Sequence, residues 1–417
     1  MKIAIIGTGI AGLTCARLLH RLHDLTVYEA NDYIGGHTHT HDVADHGENL
    51  AIDTGFIVYN ERTYPKFIGL LNECGVTSLA TEMSFSLSCE RTGLEYNGNN
   101  LNTLFAQRSN LLSPRFYRMI RDILRFNREA PQILSQQDAT ITLGAYLAAQ
   151  RYGKAFRDDY LLPIASAIWS AKADLISEMP LFFLVRFFHN HGLLTVSNRP
   201  QWYTIEGGSR EYVKKLIAPF AQRIRLRSPV TQVQRSLDGV AVNSTSGPTE
   251  IYDHVILASH SDQSLALLAD PTPEETAILG AIPYQENEAV LHTDTRLLPR
   301  RPLAWAAWNY HRTAREQDRV AVTYNMNILQ QLKSAATFLV TLNHTAAIQK
   351  HRIIDRMIYH HPVFTPSSHA AQQQWETING VRRTWYAGAY WGYGFHEDGV
   401  NSAHRVCSAL EAMASRS

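Results

Sequence analysis

The pattern of apolar and polar residues begins with a short strand, a glycine turn and an amphipathic helix. The stretch "KIAII" at 2–6 is an apolar run, "GTGIAG" follows it, and "LTCARLLHRL" places apolar residues at helical spacing. A second apolar run, "LTVYEA", ends in Glu29 and Ala30. Strand, helix and strand in this order predict the first parallel unit of a nucleotide-binding sheet.

Later segments show both the helical and the strand spacing of apolar residues. Helices are predicted at 63–75, 113–134 and 143–153, and strand patterns occur at 286–299, 303–310, 319–329 and 337–343. Residues 224–259 read as two strands joined at a tight Asp238-Gly239 turn, followed by an apolar strand. The predicted fold class is therefore α/β, or α+β overall, with a Rossmann-like domain interleaved with a domain of mixed sheet and helices.

Length and charge limit the classes of protein to which the chain can belong. With 417 residues the chain exceeds a typical single core, so two domains are expected. Lysine and arginine number 39 against 38 acids, so no global field recruits nucleic acid or an anionic membrane, although a local patch stays open. The four scattered cysteines, the absence of a signal-peptide pattern and the absence of a long apolar run predict a cytoplasmic protein with reduced thiols. The dispersed histidines predict no metal site.

The glycine turn has the spacing of a phosphate-binding motif. Gly7 permits the tight turn, Gly9 lets a pyrophosphate approach the backbone, and Gly12 lets the helix pack on the strand. The helix that begins with Ile10 and Ala11 presents free N–H groups to the phosphates. Glu29 stands where an acid binds a ribose hydroxyl. The unit predicts a dinucleotide site, and by itself leaves NAD and FAD open.

The region after the second strand favours FAD. Gly35 and Gly36, a polar run and "AIDTGFIVYN" predict a loop over a larger cofactor, where an NAD dehydrogenase normally enters a crossover helix. The stretch "YEANDYIGGHTHT" resembles the second motif of the flavin amine oxidase and phytoene desaturase superfamily. That motif commonly has a basic residue after the glycine pair, and here the position is His37, which departs from polyamine and monoamine oxidases.

Other segments extend the resemblance over nearly the whole chain. They are "DTGFIVYNERTYP", "LPIASAIWS", "AWAAWNYHR", "VTYNMNILQ" and "GFHEDG". They are similar to bacterial NAD/FAD-binding, amine-oxidase-like proteins encoded beside cyclopropane-fatty-acyl-phospholipid synthases, and to the N-terminal part of plant cyclopropane synthases. The resemblance implies a Rossmann-like FAD-binding domain at 1–62, 200–265 and 375–417. A substrate domain of mixed sheet and helices is expected at 63–199 and 266–374.

The resemblance also implies how the chain would hold a noncovalent FAD. Val230 would contact the adenine, and the last motif would supply a strand at 384–387, a turn at 392–399 and a helix from Asn401, itself a candidate cap. The N-terminus of that helix would face the isoalloxazine, and Asp398, or else Glu397, would bind the ribityl chain. The implied cofactor-binding set is Gly7, Gly9, Ile10, Ala11, Gly12, Glu29, Ala30, Gly35, Gly36, His37, Gly55, Phe56, Val230, Ala258, Gly388, Phe395, Glu397, Asp398, Gly399 and Val400. His396 is the candidate for a covalent link, which we do not expect.

The catalytic residues are left open by the sequence. The chain has no GxSxG elbow, HExxH motif or P-loop lysine, and the resemblance implies hydride transfer from a substrate carbon to flavin N5. Amine oxidases of the superfamily often place a lysine on the strand that corresponds to "AVLHTDTRL", which contains none. The candidates are His292 on that strand, and Trp391 and Tyr393 among the aromatics that would wall the ring and the substrate mouth.

One segment bears on the substrate. Residues 177–194 carry four phenylalanines, which predict a buried helix, the wall of an apolar tunnel or a lip that dips into a membrane. The leading hypothesis is an FAD-dependent dehydrogenase or desaturase of a fatty acyl chain in a methylated or cyclopropane-related lipid. The alternatives are a flavin amine oxidase that releases peroxide and a flavin-binding partner of a lipid methyltransferase without its own turnover. Expected partners are a lipid or other hydrophobic small molecule, the inner face of the membrane as a peripheral contact, and no nucleic acid.

Overall fold

A five-stranded parallel sheet and a seven-stranded mixed sheet are the main sheets of the computed structural model, which describes residues 1–135, 140–314 and 319–415. The strands are β1 (Lys2–Ile6), β2 (Asp24–Tyr28), β3 (Thr40–Asp45), β4 (Glu48–Asp53), β5 (Tyr59–Asn60), β6 (Ser78–Thr81), β7 (Phe85–Cys89), β8 (Leu94–Asn97), β9 (Trp202–Ile205), β10 (Ile224–Arg225), β11 (Val230–Arg235), β12 (Val240–Ser244), β13 (Glu250–Tyr252), β14 (His254–Leu257), β15 (Tyr284–His292), β16 (Trp308–Arg312), β17 (Ala321–Asn325), β18 (Leu339–Leu342), β19 (Ile353–Pro362) and β20 (Thr384–Tyr386).

The α-helices surround the two sheets and are joined in places by single turns of 3-10 or π helix. They are α1 (Ile10–Leu19), α2 (Pro65–Glu73), α3 (Leu101–Leu104), α4 (Pro114–Glu129), α5 (Leu143–Ala149), α6 (Lys154–Phe156), α7 (Leu162–Trp169), α8 (Ala173–Glu178), α9 (Leu181–Asn190), α10 (Arg210–Ile217), α11 (Ser261–Leu267), α12 (Pro273–Gly280), α13 (Met326–Leu329), α14 (Pro366–Gln372), α15 (Trp375–Ile378) and α16 (His396–Ala414). No helix in the described ranges is both long and apolar enough to cross a membrane.

The five-stranded sheet has the order β10-β2-β1-β14-β20, with every neighbouring pair parallel. Its strands are continuous apolar runs because both faces are covered. Ile3 and Ile5 point into the core beneath α1 and α16, whereas Ala4 and Ile6 point into the core beside β12 and α12. Because all five strands run parallel, their carboxyl ends lie at one edge, which is where such sheets bind ligands.

The seven-stranded sheet has the order β19-β15-β18-β17-β16-β7-β8 and is antiparallel except for the parallel pair of β16 with β7. Its strands come from the two segments expected to form the substrate domain. The strands of the five-stranded sheet come from the three segments expected to bind the cofactor. This confirms the mixed α/β class, while the exact domain boundaries stay a prediction.

The phenylalanine-rich segment forms a buried helix. In α9 the run from Leu181 to Val185 is buried, as are Phe187 and Phe188, and Arg186 is exposed. These side chains join a core cluster with α4 to α8. Because the phenylalanines are covered by protein, the membrane-dipping lip is wrong, and a buried helix is what the segment forms.

Several predicted boundaries also need correction. The last helix begins at His396, five residues before the predicted start, so that Asn401 lies inside it and is not its cap. Of the strand predicted at 303–310, only the part from Trp308 belongs to a strand of the sheet, and 302–304 form a 3-10 turn. The helix predicted at 143–153 is confirmed in its first part, where Thr142 accepts a hydrogen bond from the backbone N–H of Ala145.

Candidate cofactor site

Two helix N-termini meet at the carboxyl edge of the five-stranded sheet. α1 begins directly after Gly9, and α16 begins directly after Phe395. A Cβ atom on Gly399 would lie 2.7 Å from Cγ2 of Ile10 and 3.6 Å from the backbone nitrogen of Ala11. The free N–H groups and the dipoles of both helices therefore favour negative charge in the same small region.

The glycines of the first turn have two different functions. A Cβ on Gly7, which has φ +108°, would lie 2.7 Å from the carbonyl oxygen of Ala258, and a Cβ on Gly12 would lie 2.0 Å from that of Gly7. A Cβ on Gly9 would meet no atom within 4 Å. Close packing thus requires glycine at the first and third positions, whereas the second leaves open space at the helix N-terminus. This open space fits the close approach of a pyrophosphate.

Glu29 is fixed at the same edge by backbone and side-chain contacts. Its Oε2 accepts hydrogen bonds from the backbone N–H of Thr8 at 3.1 Å and from the Thr8 hydroxyl, and its Oε1 accepts one from Asn31 at 2.8 Å. The backbone N–H of Ser228 bonds to the Glu29 carbonyl at 2.8 Å, which brings the start of β11 and the half-buried Val230 alongside. A carboxylate so oriented can accept a further bond from a ribose hydroxyl. Ala30 is exposed beside it.

The second glycine loop lies directly on the first. A Cβ on Gly36, which has φ +60°, would lie 3.2 Å from the Cα of Gly9. Behind it, the backbone N–H of Phe56 bonds to the His37 carbonyl at 2.7 Å, and a Cβ on Gly55 would lie 2.1 Å from the same oxygen. The structure thus brings the two glycine loops and the Gly55 turn into direct contact.

His37 belongs to a cluster of rings that surrounds this loop. The centroid of its ring lies 5.1 Å from that of Tyr359, 5.4 Å from that of His361 and 6.2 Å from that of His260. Its Nε2 is shielded from solvent and has no hydrogen-bond partner among the described residues. Burial, followed by the neighbouring imidazoles, lowers the pKa of His37 and of His260 to about 4 and that of His361 to about 3. The cluster is therefore neutral near pH 7.

Sequence reasoning missed most of this cluster because its members are far apart in the chain. His260 follows β14, and His361 lies near the end of β19. His260 stacks on Tyr284 with centroids 4.4 Å apart, so a residue at the start of β15 supports it. The described residues contain no group of histidine, cysteine and acidic side chains arranged to hold a metal ion. An imidazole with an unpartnered nitrogen beside two helix N-termini fits an anionic ligand.

His396, at the first position of α16, is locked in place. Its ring stacks on Phe56 with centroids 3.5 Å apart, and its Nε2 lies 3.1 Å from both the Thr38 hydroxyl and the Tyr212 hydroxyl. Burial lowers its pKa well below the ordinary value. The candidate for a covalent link to the cofactor is thus engaged with the protein.

The two acids of "HEDG" fall in the first turn of α16 and not before it. The Glu397 carboxylate accepts hydrogen bonds from the backbone N–H groups of Lys66 at 3.1 Å and Phe67 at 2.8 Å, at the start of α2. The Asp398 carboxylate accepts one from Phe395 at 2.9 Å. Burial raises the pKa of Asp398 to about 7 and also raises that of Glu397. Since both acids already satisfy backbone groups, their predicted contact with the ribityl chain stays a prediction.

The segment before α16 faces the phenylalanines of α9. The ring centroid of Tyr393 lies 4.5 Å from that of Phe183, and the ring of Phe395 stacks on Phe187 with centroids 5.1 Å apart. We call these four side chains the apolar wall. It adjoins the turn from Gly388, whose backbone N–H bonds to the Ser402 hydroxyl at 3.0 Å. Phe395 of the apolar wall thus lies directly before the first residue of α16.

Two other catalytic candidates have their polar atoms in use. Trp391 donates its indole N–H to the carbonyl of Tyr386 at 3.0 Å. His292 is fully buried, with Nε2 2.7 Å from the Thr341 hydroxyl and Nδ1 accepting from the backbone of Asp294 at 3.0 Å. It also lies eight residues along β15 from Tyr284, a distance of about 27 Å in a strand. The structure brings Tyr393 and Trp391 near the two helix N-termini, but not His292.

The sheet order, the glycine turn, the acid on β2 and the second helix N-terminus define a dinucleotide-binding protein with two main sheets. The model of the family "Flavin containing amine oxidoreductase" matches residues 10–325. The chain therefore belongs to the flavin-containing amine oxidoreductases, a family of FAD-dependent oxidoreductases. This confirms the predicted superfamily and FAD as the cofactor.

The chain is similar to an L-amino-acid oxidase of Siganus canaliculatus, with 24% identity over 310 residues that cover 70% of this chain and 56% of that protein. It is 25% identical over 282 residues to a Mycobacterium tuberculosis protein described as a flavin-containing monoamine oxidase, covering 65% of this chain and 59% of that protein. The chain thus spans a little over half the length of these relatives.

Solved structures share the fold over almost the full chain. A putrescine oxidase variant superimposes with a TM-score of 0.72 at 16% identity, covering 99% of each chain, and cyclohexylamine oxidase from Brevibacterium oxydans IH-35A gives 0.71 at 15% with the same coverage. A fatty acid isomerase from P. acnes that produces CLA gives 0.68 at 16%, covering 98% of each. At these identities the likeness shows the fold alone.

Proposed function

We propose that the protein is an FAD-dependent dehydrogenase or desaturase and that its substrate is a hydrophobic chain. The candidate substrate is the fatty acyl group of a methylated or cyclopropane-related lipid, as the similarity to the cyclopropane-associated bacterial branch implies. The observation that carries the proposal is the apolar wall, which stands directly beside the N-terminus of α16.

The apolar wall is the inner surface of a larger hydrophobic cluster. Phe183 packs on Phe364 with centroids 5.0 Å apart, and Phe187 packs on Trp169 with centroids 4.8 Å apart. Phe183 and Phe187 are themselves buried, but Tyr393 and Phe395 are half-buried and would gain free energy by covering methylene groups, roughly 0.8 kcal/mol for each one buried. A substrate of several methylenes is therefore matched better by this wall than a small polar amine.

The polar groups beside the wall support the same reading. The carboxylates of Glu397 and Asp398 accept backbone N–H groups, as described above, and the pKa of each is raised by burial. An ammonium group would have to compete with those backbone donors for the same oxygens. An acyl chain makes no such demand.

The bound flavin would supply two-electron oxidation of a carbon centre. The residues of the chain would position the substrate and tune the site. The N-termini of α1 and α16 would stabilise negative charge on the cofactor, and the apolar wall would orient the chain and exclude water. The structure gives no reason to add a strong acid–base pair to these roles.

A second candidate is a flavin amine oxidase. It is supported by the names of the sequence relatives and of two structural neighbours, and aromatic side chains such as Trp391 and Tyr393 are suited to binding an amine. The structural likeness to a fatty acid isomerase supports the acyl-chain proposal to a similar extent.

The deciding experiment is anaerobic reduction of the purified, FAD-loaded protein. We expect dispersed phospholipids with methyl-branched or cyclopropane acyl chains to bleach the flavin, and polyamines and aromatic amines to leave it oxidised. Lipid products should differ from substrates by two hydrogens in mass. Bleaching by amines with release of peroxide in air would replace the proposal with the amine oxidase. No reduction by either class, with co-purification of a lipid methyltransferase, would favour the partner role.

A pair of variants connects the result to the apolar wall. Phe395→Leu reduces the ring surface offered to the chain, and we expect it to slow substrate-dependent bleaching severalfold. Tyr393→Phe keeps the ring surface and removes only the hydroxyl, so it tests the catalytic candidate separately from the wall, and slower bleaching in this variant would assign the hydroxyl a part in the reaction. Equal rates in all three proteins would show that the wall does not contact the substrate.

A further inference from the structure

The outer face of α4 combines positive charge with exposed apolar side chains. Tyr117, Arg121, Leu124 and Arg128 follow one another at spacings of four, three and four residues, which places them on one side of the helix. Arg118 and Arg125 flank this row. We call these six side chains the basic helix face. The opposite side of α4, which includes Phe116, Met119 and Phe126, is buried.

The charge of this region differs from that of the chain as a whole. Residues 101–135 contain six arginines and two acids, in a chain with a net charge of +1. Asp122 is buried, accepts a hydrogen bond from Gly153 and lies 3.5 Å from the Arg121 guanidinium, so it offsets part of the outer charge and the region stays positive through the excess of arginines. Glu129 pairs with Arg125 at 3.0 Å and with Arg128 at 3.3 Å. Among the described residues, no ion pair links Arg118 to an acid.

Exposed leucines accompany these charges. Leu112, in the turn that leads into α4, is 88% exposed, and Leu124, in the middle of the helix, is 51% exposed. Leu101 of α3 is 76% exposed, and its helix is tied to α4 through the ring of Phe105, which lies 6.0 Å from that of Tyr117. Leaving such side chains in water costs free energy, which insertion between lipid headgroups would recover.

We propose that the basic helix face, with the leucines at its N-terminal end, docks on a bilayer that contains anionic phospholipid. The arginines would contact lipid phosphates, at roughly 1 kcal/mol for each cation close to the surface, and the leucines would enter the acyl boundary. Long arginine side chains can reach the phosphates while their stems cover apolar surface. A nucleic acid would account for the arginines but would leave the leucines without a partner.

The position of α4 in the fold agrees with this occupant. Its inner side joins the helical cluster through Phe126, whose ring lies 5.5 Å from that of Phe156. The same cluster includes α9, whose other contacts form part of the apolar wall. Docking would therefore place the helical layer between the membrane and the cofactor site. The inference rests on the surface alone and does not require a lipid substrate.

Vesicle sedimentation of the full chain with FAD bound tests the proposal. We expect binding to vesicles of phosphatidylcholine with about one third phosphatidylglycerol, weakening as salt is raised, and little binding to pure phosphatidylcholine. The variant Arg118→Gln/Arg121→Gln/Arg128→Gln should bind the anionic vesicles at least about tenfold more weakly. Leu112→Ser/Leu124→Ser should weaken binding severalfold and keep the salt dependence.

A matched control distinguishes an effect of the basic helix face from an effect of the net charge of the protein. Arg300→Gln/Lys333→Gln/Lys350→Gln removes the same charge from exposed positions elsewhere and should bind like the unaltered protein. Unchanged circular dichroism and FAD content would show that the variants fold. Equal loss in the control, no loss in the α4 variant, or no vesicle binding by the unaltered protein would overturn the proposal. Binding of duplex DNA in place of vesicles, lost in the α4 variant, would make the face a polyanion surface and would also overturn it.

Discussion

At the scale of single residues, one glycine of the first turn is needed for close packing and another leaves room for the ligand. A Cβ on Gly12 collides with the Gly7 carbonyl, whereas a Cβ on Gly9 meets open space. We expect Gly9→Ala to fold with nearly unchanged stability and to bind FAD at least about tenfold more weakly, since the new methyl group occupies the position of the phosphates. Chemical unfolding and FAD titration of the apoprotein measure the two effects.

Gly12→Ala is the matched control for this prediction. The added methyl group has no room, so the free energy of unfolding should fall by about 1 to 3 kcal/mol. If Gly9→Ala keeps full affinity for FAD, the open space above Gly9 is not the phosphate site. If both variants are equally unstable, the distinction between the two glycines is wrong.

His37 should make FAD binding dependent on pH. Burial lowers its pKa to about 4 in the free protein, and a nearby pyrophosphate would raise it, so FAD binding would take up a proton. The groups that face His37 are His260 from the β14 end, Tyr359, His360 and His361 from β19, and His396 from α16. We expect FAD affinity to fall about tenfold as the pH rises from about 6 to about 8.

Two variants test which group carries this dependence. In His37→Arg the new side chain is positively charged at both pH values, so this variant should bind FAD with little change in affinity between them. His37→Gln should lose the pH dependence and bind more weakly than the unaltered protein at the lower pH. An unchanged slope in both variants would assign the proton to His260 or His361, and not to His37.

The residues found from the sequence are those whose chemistry depends on local spacing. Gly7, Gly9, Gly12 and Glu29 lie within one strand–helix–strand unit, so their positions follow from a motif. His260 escaped notice because its proximity to His37 depends on how β14 sits beside β1. Contacts between distant segments leave no periodic signal in a single sequence.

At the scale of elements, the start of α16 is held to α2 by Glu397. The Glu397 carboxylate accepts the N–H groups of Lys66 and Phe67 and is itself largely buried. We expect Glu397→Ala to lower the free energy of unfolding by about 1 to 2 kcal/mol, because two backbone donors lose their acceptor. A fall in FAD affinity in addition would support the predicted contact of Glu397 with the ribityl chain, and unchanged affinity would assign that contact to Asp398. Urea unfolding and FAD titration provide both numbers.

Asn401→Ala is the companion variant for this helix. Its side chain contacts Glu397 only at 3.5 Å and does not cap α16, so a loss below about 0.5 kcal/mol is expected. Normal stability of Glu397→Ala with a large loss of FAD affinity would instead restore the predicted role of Glu397 at the ribityl chain.

Element boundaries show where sequence reasoning reached its limit. The glycines and acids of "GYGFHEDG" predict a turn, and the early helix start follows from two contacts that the sequence does not display. These are the bond from Phe395 to Asp398 and the stacking of His396 on Phe56. The phenylalanines of α9 favoured a buried helix and left the wall of an apolar tunnel or a membrane-dipping lip open. Only the packing of α9 against residues 393–395 decided between them.

At the scale of the whole molecule, buried histidines should make the fold sensitive to acid. The pKa is lowered to about 4 for five of them and to about 3 for a sixth, and in the unfolded chain they titrate near 6.5. They are His37, His39, His191, His260, His292 and His361. Between those values the unfolded state binds more protons, so acidification favours unfolding.

Four buried carboxyl groups act in the opposite direction. Burial raises the pKa of Asp53 to about 6 and that of Asp398 to about 7, and it also raises the pKa of Asp159 and of Glu397, so these groups take up protons more readily in the folded state. Because the histidines outnumber them, we expect the Tm of the FAD-free protein to fall by about 5 °C or more from pH 7.5 to about pH 5.5. Differential scanning calorimetry measures this, and a Tm that stays level or rises would contradict it.

The overall architecture was more predictable than its site. Parallel strands with continuous apolar runs and a glycine turn indicated the nucleotide sheet, and alternating segments indicated the second sheet. The order β19-β15-β18-β17-β16-β7-β8 was not predictable, because β7 joins β16 across more than 200 intervening residues. That pairing depends on two distant segments of the same predicted domain coming together, which no local pattern records.

The central claim is that the two helix N-termini and the glycine loops between them hold a noncovalent FAD. The most direct test is the absorption spectrum of the purified protein before and after denaturation and filtration. The account predicts a yellow protein whose oxidised-flavin bands pass into the filtrate as FAD, about one per chain. A colourless protein that also fails to bind added FAD would contradict the site, and a flavin retained on the denatured chain would contradict noncovalent attachment.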